Sequence, residues 1–217
     1  MFFSKLFCHK IAAAMLALSV ALMPLSAMAA RSVQSVVGEF HAEVLDVMKK
    51  GTALGQSGRV NALKPVANKT FDIPTMARQT VGTARWNGWT AAQQKTYSET
   101  FRDFLIATYA GRFRGYTGES FEPIQSSVQN GQTWVTSAIV KGSGERVSLR
   151  YLLVQTSDGW RIVDVYLEGS ISELANWKSQ LVKPLREGGY DGVIKALNDQ
   201  IVRLAEAPAK PAAKSRR

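Results

Sequence analysis

Cysteine is nearly absent from this sequence. Its only copy, Cys8, lies in a short basic start with Lys5 and Lys10, ahead of an apolar run from Ile11 to Met23 that only Ser19 interrupts. Pro24 ends the run, and Ala27-Met28-Ala29 puts small residues where a signal peptidase reads. This pattern predicts a secretory signal peptide over residues 1–29, cleaved before Ala30. The apolar run is shorter than the ~20 residues that span a bilayer, and Cys8 stands before it, so a lipoprotein anchor is excluded. Disulfides and thiol chemistry then play no part in the secreted chain.

Histidine is almost as scarce. After the signal peptide only His41 remains. A zinc site needs several ligands of matching geometry, and a lone histidine beside Phe40 predicts a surface or packing role instead. A serine hydrolase would need a Gly-x-Ser-x-Gly elbow and a base. Gly142-Ser143-Gly144 has neither that spacing nor a helix after it, and it lacks the third glycine of a phosphate-cradling loop. A base-reading nucleic-acid motif is also lacking.

Positive charge is abundant. The formal net charge is +10, and Lys210, Lys214, Arg216 and Arg217 crowd the last eight residues. Residues 206–217 have no apolar periodicity and read as a disordered basic tail. A basic excess favours anionic partners such as acidic lipid surfaces.

Between these ends, residues 30–205 read as one domain. Val33, Val37, Phe40, Val44 and Val47 form one helical face. Gly51, Gly55 and Gly58 predict a loose linker, followed by a short helix over about Arg59–Asn68 with a bend at Pro65. Asp72 before Pro74 predicts a helix to Val81, which Gly82 stops. Thr90 with Gln93 matches a capping box, opening a long helix from Ala91 to about Phe113 with Tyr97, Phe101, Phe104, Leu105, Thr108 and Tyr109 on one broad face.

The period then changes to two. Strands are expected over Ser120–Val128, Trp134–Val140, Arg146–Gln155 and Trp160–Leu167, with turns at Asn130-Gly131, Gly142-Ser143-Gly144 and Ser157-Asp158-Gly159. In the last strand Val163, Val165 and Leu167 alternate against Ile162, Asp164 and Tyr166. Ser170 with Glu173 suggests a second capping box, opening a helix to about Glu187 with a kink at Pro184. Gly188-Gly189 would end it, and Asp191 would cap a last helix over Gly192–Ala205. The order predicts an α+β fold, with helices packed on one face of a four-stranded antiparallel meander.

Asp164 and Glu168 are the only carboxylates that suggest acid–base work. The plainer expectation for Asp164 is a solvent-facing position or a pairing with Arg150 or Arg161. A small secreted enzyme using Asp164 or Glu168 is therefore one reading, and an adaptor with a filled core is another. The abundant apolar side chains could equally wall a ligand cavity.

The residues resemble a known family at this point. Trp160-Arg161-Ile162-Val163-Asp164-Val165-Tyr166-Leu167-Glu168-Gly169-Ser170-Ile171-Ser172 and Gly189-Tyr190-Asp191-Gly192-Val193-Ile194-Lys195-Ala196-Leu197 resemble the C-terminal signature of the MlaC, or toluene-tolerance, family of periplasmic lipid carriers. Phe71-Asp72-Ile73-Pro74-Thr75-Met76-Ala77, Trp89-Thr90-Ala91-Ala92-Gln93-Gln94 and Phe101-x-x-Phe104-Leu105 match as well, so the likeness covers roughly residues 33–204. The stretch Val165–Ala175 is similar to the hopanoid-associated HpnM branch. Trp177-Lys178-Ser179-Gln180-Leu181 departs from the pattern, which has tyrosine–arginine and phenylalanine there.

The resemblance implies a soluble, non-enzymatic carrier in the periplasm of a Gram-negative cell. It would move phospholipid or hopanoid between inner and outer membranes, with the lipid as cargo and no cofactor. Implied partners are the substrate-binding subunit of an inner-membrane lipid ABC transporter and an outer-membrane lipoprotein complex. The acyl chains would lie in a pocket between sheet and helices. The expected lining is Phe101, Leu105 and Tyr109 from the long helix, with Val147, Leu149, Tyr151, Val163, Val165 and Leu167 from the sheet.

Overall fold

A computed structural model describes residues 31–206. The expected signal peptide and all but the first residue of the expected basic tail lie outside the described residues. Helix α1 spans Val33–Lys50; the Ser32 side chain accepts the Ser35 amide at its start. Its buried stripe is Val36, Val37, Phe40, His41, Val44, Val47 and Met48. A 3-10 turn over Gly51–Leu54 leads into α2, Gly55–Thr70, so the expected loose linker is largely helical and α2 runs through Pro65.

Helix α3 spans Ile73–Val81, with Asp72 accepting the Thr75 amide and Gly82 closing it, as its sequence predicts. A short α4, Thr83–Asn87, precedes α5, Ala91–Arg112. The Thr90–Gln93 capping box forms in both directions.

The sheet is antiparallel, with strands β1 (Ser120–Phe121), β2 (Gln125–Gln129), β3 (Gln132–Val140), β4 (Arg146–Thr156), β5 (Gly159–Leu167) and β6 (Ile171–Ser172). The expected single strand over Ser120–Val128 is split in two. Both parts pair with β3, on either side of Glu122-Pro123-Ile124. Proline has no N–H to give to a ladder, so an edge strand breaks there. Asn130 and Gly131 form the tight turn between β2 and β3 with φ of 51° and 74°. The sheet is the expected meander with its first strand split and one short addition, β6, at its other end.

Strand β5 contains a bulge that its sequence pattern conceals. Leu152 pairs with Asp164 but Leu153 pairs with Ile162, leaving Val163 as the extra residue. The expected strict alternation therefore fails. Ile162, on the same side as Leu153, joins Val165 on the core face, and Ile162, Val163, Asp164 and Val165 are all buried. The Ile162 carbonyl also accepts the Asp72 amide at 2.9 Å, tying the α2–α3 junction to the sheet.

The second capping box does not form. Residues Ile171–Ser172 pair with β5 instead, and α6 begins at Glu173 with the Ser172 hydroxyl accepting the Ala175 amide. Helix α6 runs over Glu173–Glu206 as two segments broken at Gly189, whose φ of 56° lies in the left-handed region. The break falls at Gly189 and not at Pro184, because glycine takes that conformation without a Cβ clash.

The helices form one layer over the sheet. Helices α1, α2, α3 and α6 touch β5, and α1 also reaches β2 and β3. Helix α5 packs on α2, α3 and α6, so it is the centre of the helical layer and not the layer's main contact with the sheet. Arg59 of α2 donates to the Ala110 carbonyl at 2.8 Å, satisfying one of the orphan acceptors at the end of α5. Among the described residues, no helix is long and apolar enough to cross a membrane.

Candidate functional site

The expected lining residues belong to two groups. Tyr109 on the last turns of α5 turns toward the sheet side. Its ring meets Phe40 edge-on at 5.2 Å and Phe71 at 5.8 Å. Tyr151 and Val165 are cross-strand partners, as are Leu149 and Leu167, so these four share one face of the sheet. Tyr109, Leu149, Tyr151, Val163 and Val165 are buried in the core, while Leu167 is half-buried against it. Val147 is half-buried at the far end of β4 and lies outside that core cluster.

Phe101 and Leu105 sit on an earlier part of α5. Phe101 stacks near Tyr97 and meets Trp177 of α6 edge-on at 5.8 Å, and Phe104 meets the same indole at 5.7 Å. This aromatic seam joins α5 to α6. A broad apolar face on α5 was legible in the sequence, but the direction of each half was not. Trp177, the departure from the family pattern, completes the seam.

Between sheet and helices these side chains cluster in one apolar core. A surface cleft of about 430 Å³ lies elsewhere, lined by Gln79, Gly82, Thr83, Ser172, Leu174, Ala175 and Lys178. A pocket of about 20 Å³ lies beside Phe104 and Trp177. None of the expected lining residues borders either.

The sheet-side group contains a polar centre. His41 Nε2 lies 2.7 Å from the Tyr151 hydroxyl, and the His41 ring stacks on Phe121 with centroids 3.8 Å apart. Burial lowers the His41 pKa to about 3, so the ring is neutral. Burial likewise raises Tyr109 and Tyr151 above the usual phenol range. The expected packing role of His41 holds, but as a buried hydrogen-bonded residue. Its position on the inner stripe of α1, next to Phe40 and three residues before Val44, was the available signal.

Asp164 is neither solvent-facing nor paired with Arg150 or Arg161. It is 5% exposed. One carboxylate oxygen accepts the amides of Val165 at 2.8 Å and Leu174 at 3.1 Å, and the other accepts the Ser172 hydroxyl at 2.6 Å. It therefore anchors the start of α6 to β5. Burial raises its pKa, against the lowering effect of those hydrogen bonds. Glu173, at the start of α6, is buried and bonded to Arg112 at 2.6 Å, joining α6 to the end of α5. Glu168 is exposed in the turn after β5.

This geometry makes a specific expectation for Asp164→Asn. The amide keeps one acceptor for the two backbone N–H groups and no longer has to be ionised in a buried place. It loses the charge-assisted bonds, and a loss of about 1–2 kcal/mol is expected. Urea unfolding would measure it. An enzyme reading of Asp164 expects a lost turnover at unchanged stability, so an unshifted midpoint would count against the anchoring role. Among the described residues, no cluster of three or more His, Cys, Asp or Glu side chains is placed to hold a metal ion.

Comparison with known proteins adds to this geometry. A family model described as MlaC protein matches residues 39–199. Among solved structures, a phospholipid-binding protein from Ralstonia solanacearum, in complex with a phospholipid, matches with a TM-score of 0.64 and 22% sequence identity. The match covers 81% of this chain and 100% of that one, and shows a shared fold. No curated protein matches.

Proposed function

The chain belongs to the MlaC family, and on that premise we propose that it is a periplasmic lipid carrier. The family match carries this reading, and the phospholipid held by the Ralstonia solanacearum protein of the same fold supports it. The cargo is a phospholipid, or a hopanoid, moved between inner and outer membranes with no cofactor. The carrier meets the substrate-binding subunit of a lipid ABC transporter at the inner membrane and a lipoprotein complex at the outer one.

The acyl chains enter between the helical layer and the sheet, against Tyr109, Leu149, Tyr151, Val163, Val165 and Leu167. Phe101 and Leu105 back this wall from the helical side, and Val147 stands at its rim. Each methylene taken from water gains ~0.8 kcal/mol, so a single acyl chain can offset the cost of parting the layers. Transfer then needs only a difference in affinity between donor and acceptor.

Protein purified without detergent, extracted into organic solvent and analysed by mass spectrometry is expected to yield lipid at about one molecule per chain. The same protein should take labelled phospholipid from vesicles. One rival is an adaptor with a permanent core. That rival gains if folded protein stays empty in both experiments.

A further inference from the structure

Tyr109 Oη and His41 Nδ1 are buried without a hydrogen-bond partner. Both belong to the polar centre on the sheet side. The His41 ring is fixed by its bond to Tyr151 and its stack on Phe121. The Tyr109 ring is fixed between Phe40 and Phe71. Neither atom is free to swing out to water. Tyr109 also bears electrostatically on Tyr151, so the three side chains form one group.

An unmatched buried donor or acceptor is unfavourable, and an apolar residue of the same shape would avoid the penalty. Phenylalanine has the shape of Tyr109 without its hydroxyl. The ring contacts with Phe40 and Phe71 would be made by either residue. A polar ligand group is the remaining use for it.

We propose that Tyr109, Tyr151 and His41 form a hydroxyl-recognition point inside the lipid pocket, and that the preferred cargo carries a hydroxyl on its inserted apolar part. This rests on the lipid-carrier reading. A hydroxyl fits because it both donates and accepts. His41 Nδ1 is a donor if the Tyr151 hydroxyl donates to Nε2, and an acceptor if Nε2 donates to Tyr151. An ester carbonyl would accept from Tyr109 Oη in either case but from His41 Nδ1 only in the first. The charges that act on Tyr109, Arg112 first and then Glu173 and Asp164, oppose one another, which suits a neutral group better than an anionic one.

The test offers the protein vesicles with equal amounts of three phosphatidylglycerols. One has two plain stearoyl chains; the others carry one hydroxyl, at carbon 3 or carbon 12 of one chain. Protein is recovered and its bound lipid is counted by mass spectrometry. One hydroxylated lipid is expected to be enriched about five- to tenfold over the plain one, the effect of one hydrogen bond. In Tyr109→Phe the enrichment is expected to fall to about one, with Tm unchanged or raised. His41→Phe should lose the same preference. Equal uptake of all three lipids by the wild-type protein would overturn the proposal and leave the carrier reading intact. No uptake of any lipid would remove the carrier reading itself. A Tyr109→Phe variant that keeps the preference overturns the proposal. So does one that unfolds or melts several degrees lower, because Tyr109 would then have an internal water as its partner.

Discussion

Phe101→Ala is expected to destabilise the protein by about 3–5 kcal/mol, the usual cost of truncating a buried phenylalanine. Phe101 is fully buried. Its ring lies 5.8 Å from Trp177, 6.1 Å from Phe104 and 6.5 Å from Tyr97. The edge-to-face pair with Trp177 adds to the area it buries. Removing the ring empties the seam between α5 and α6, and these helices are pinned by Glu173–Arg112 at one end, so they cannot simply collapse together. For a domain of this size the loss corresponds to a fall in Tm on the order of 10 °C. Urea unfolding and calorimetry would measure it. The result also sorts the two groups of expected lining residues. A residue that only walls a lipid path would lose lipid uptake with little change in stability, and that outcome for Phe101 would place the path along α5–α6 instead of along the sheet.

Acid is expected to weaken the wild-type protein through His41 more than it weakens His41→Phe. Burial holds the folded pKa near 3, against an ordinary value of 6.5. Between these values the unfolded chain binds the proton and the folded chain does not. Stability therefore rises with pH across this window and is lost as pH falls from 6.5 toward 3. Each pH unit is worth at most ~1.4 kcal/mol, so about 2–3 kcal/mol is lost between pH 6.5 and 4.5. The variant leaves the Tyr151 hydroxyl without its partner, a roughly constant penalty, but has nothing to titrate at position 41. Carboxylates elsewhere titrate in both proteins and cancel in the difference. The gap between wild type and variant should thus narrow by about 2–3 kcal/mol on acidification, read from urea midpoints at several pH values. Parallel curves would show that His41 is protonated normally and that the buried pair with Tyr151 opens easily.

The helices were legible where a local signal was strong. Thr90 with Gln93, and Asp72 before Pro74, mark starts that form as their side chains dictate. Asn130-Gly131 marks a turn for the same reason, since both residues tolerate positive φ. Ser170 with Glu173 carried the same kind of signal and failed. Residues 171–172 extend β5's pairing, and Glu173 is drawn into the core by Arg112. A cap worth about 1 kcal/mol does not prevail over a ladder and an ion pair with a buried carboxylate. Glycine against proline in α6 shows the same competition, because Gly189 breaks the helix and Pro184 does not.

The candidate site was legible as a set of residue types and not as an arrangement. Tyr109, Tyr151 and Val165 could be named from periodicity together with family likeness. His41 and Asp164 could not be placed, because each depends on a partner far along the chain: Tyr151 for His41, and the Leu174 amide for Asp164. The bulge at Val163 is similar. Nothing in Ile162-Val163-Asp164-Val165 announces an extra residue, yet it turns both Ile162 and Val165 to the core.

By itself the sequence determined the α+β order of elements, the apolar stripe of α1, the opening of α5, the hairpin turns and the family. Each of these follows from interactions between residues a few positions apart, or from a pattern repeated along the chain. Only the tertiary structure decided that Phe101 and Phe104 of α5 meet Trp177 of α6 while Tyr109 meets Phe40 and Phe71, and that a histidine and two tyrosines share one buried polar centre. Those outcomes depend on how side chains distant in sequence compete for the same volume, and periodicity does not distinguish a wall from a filling.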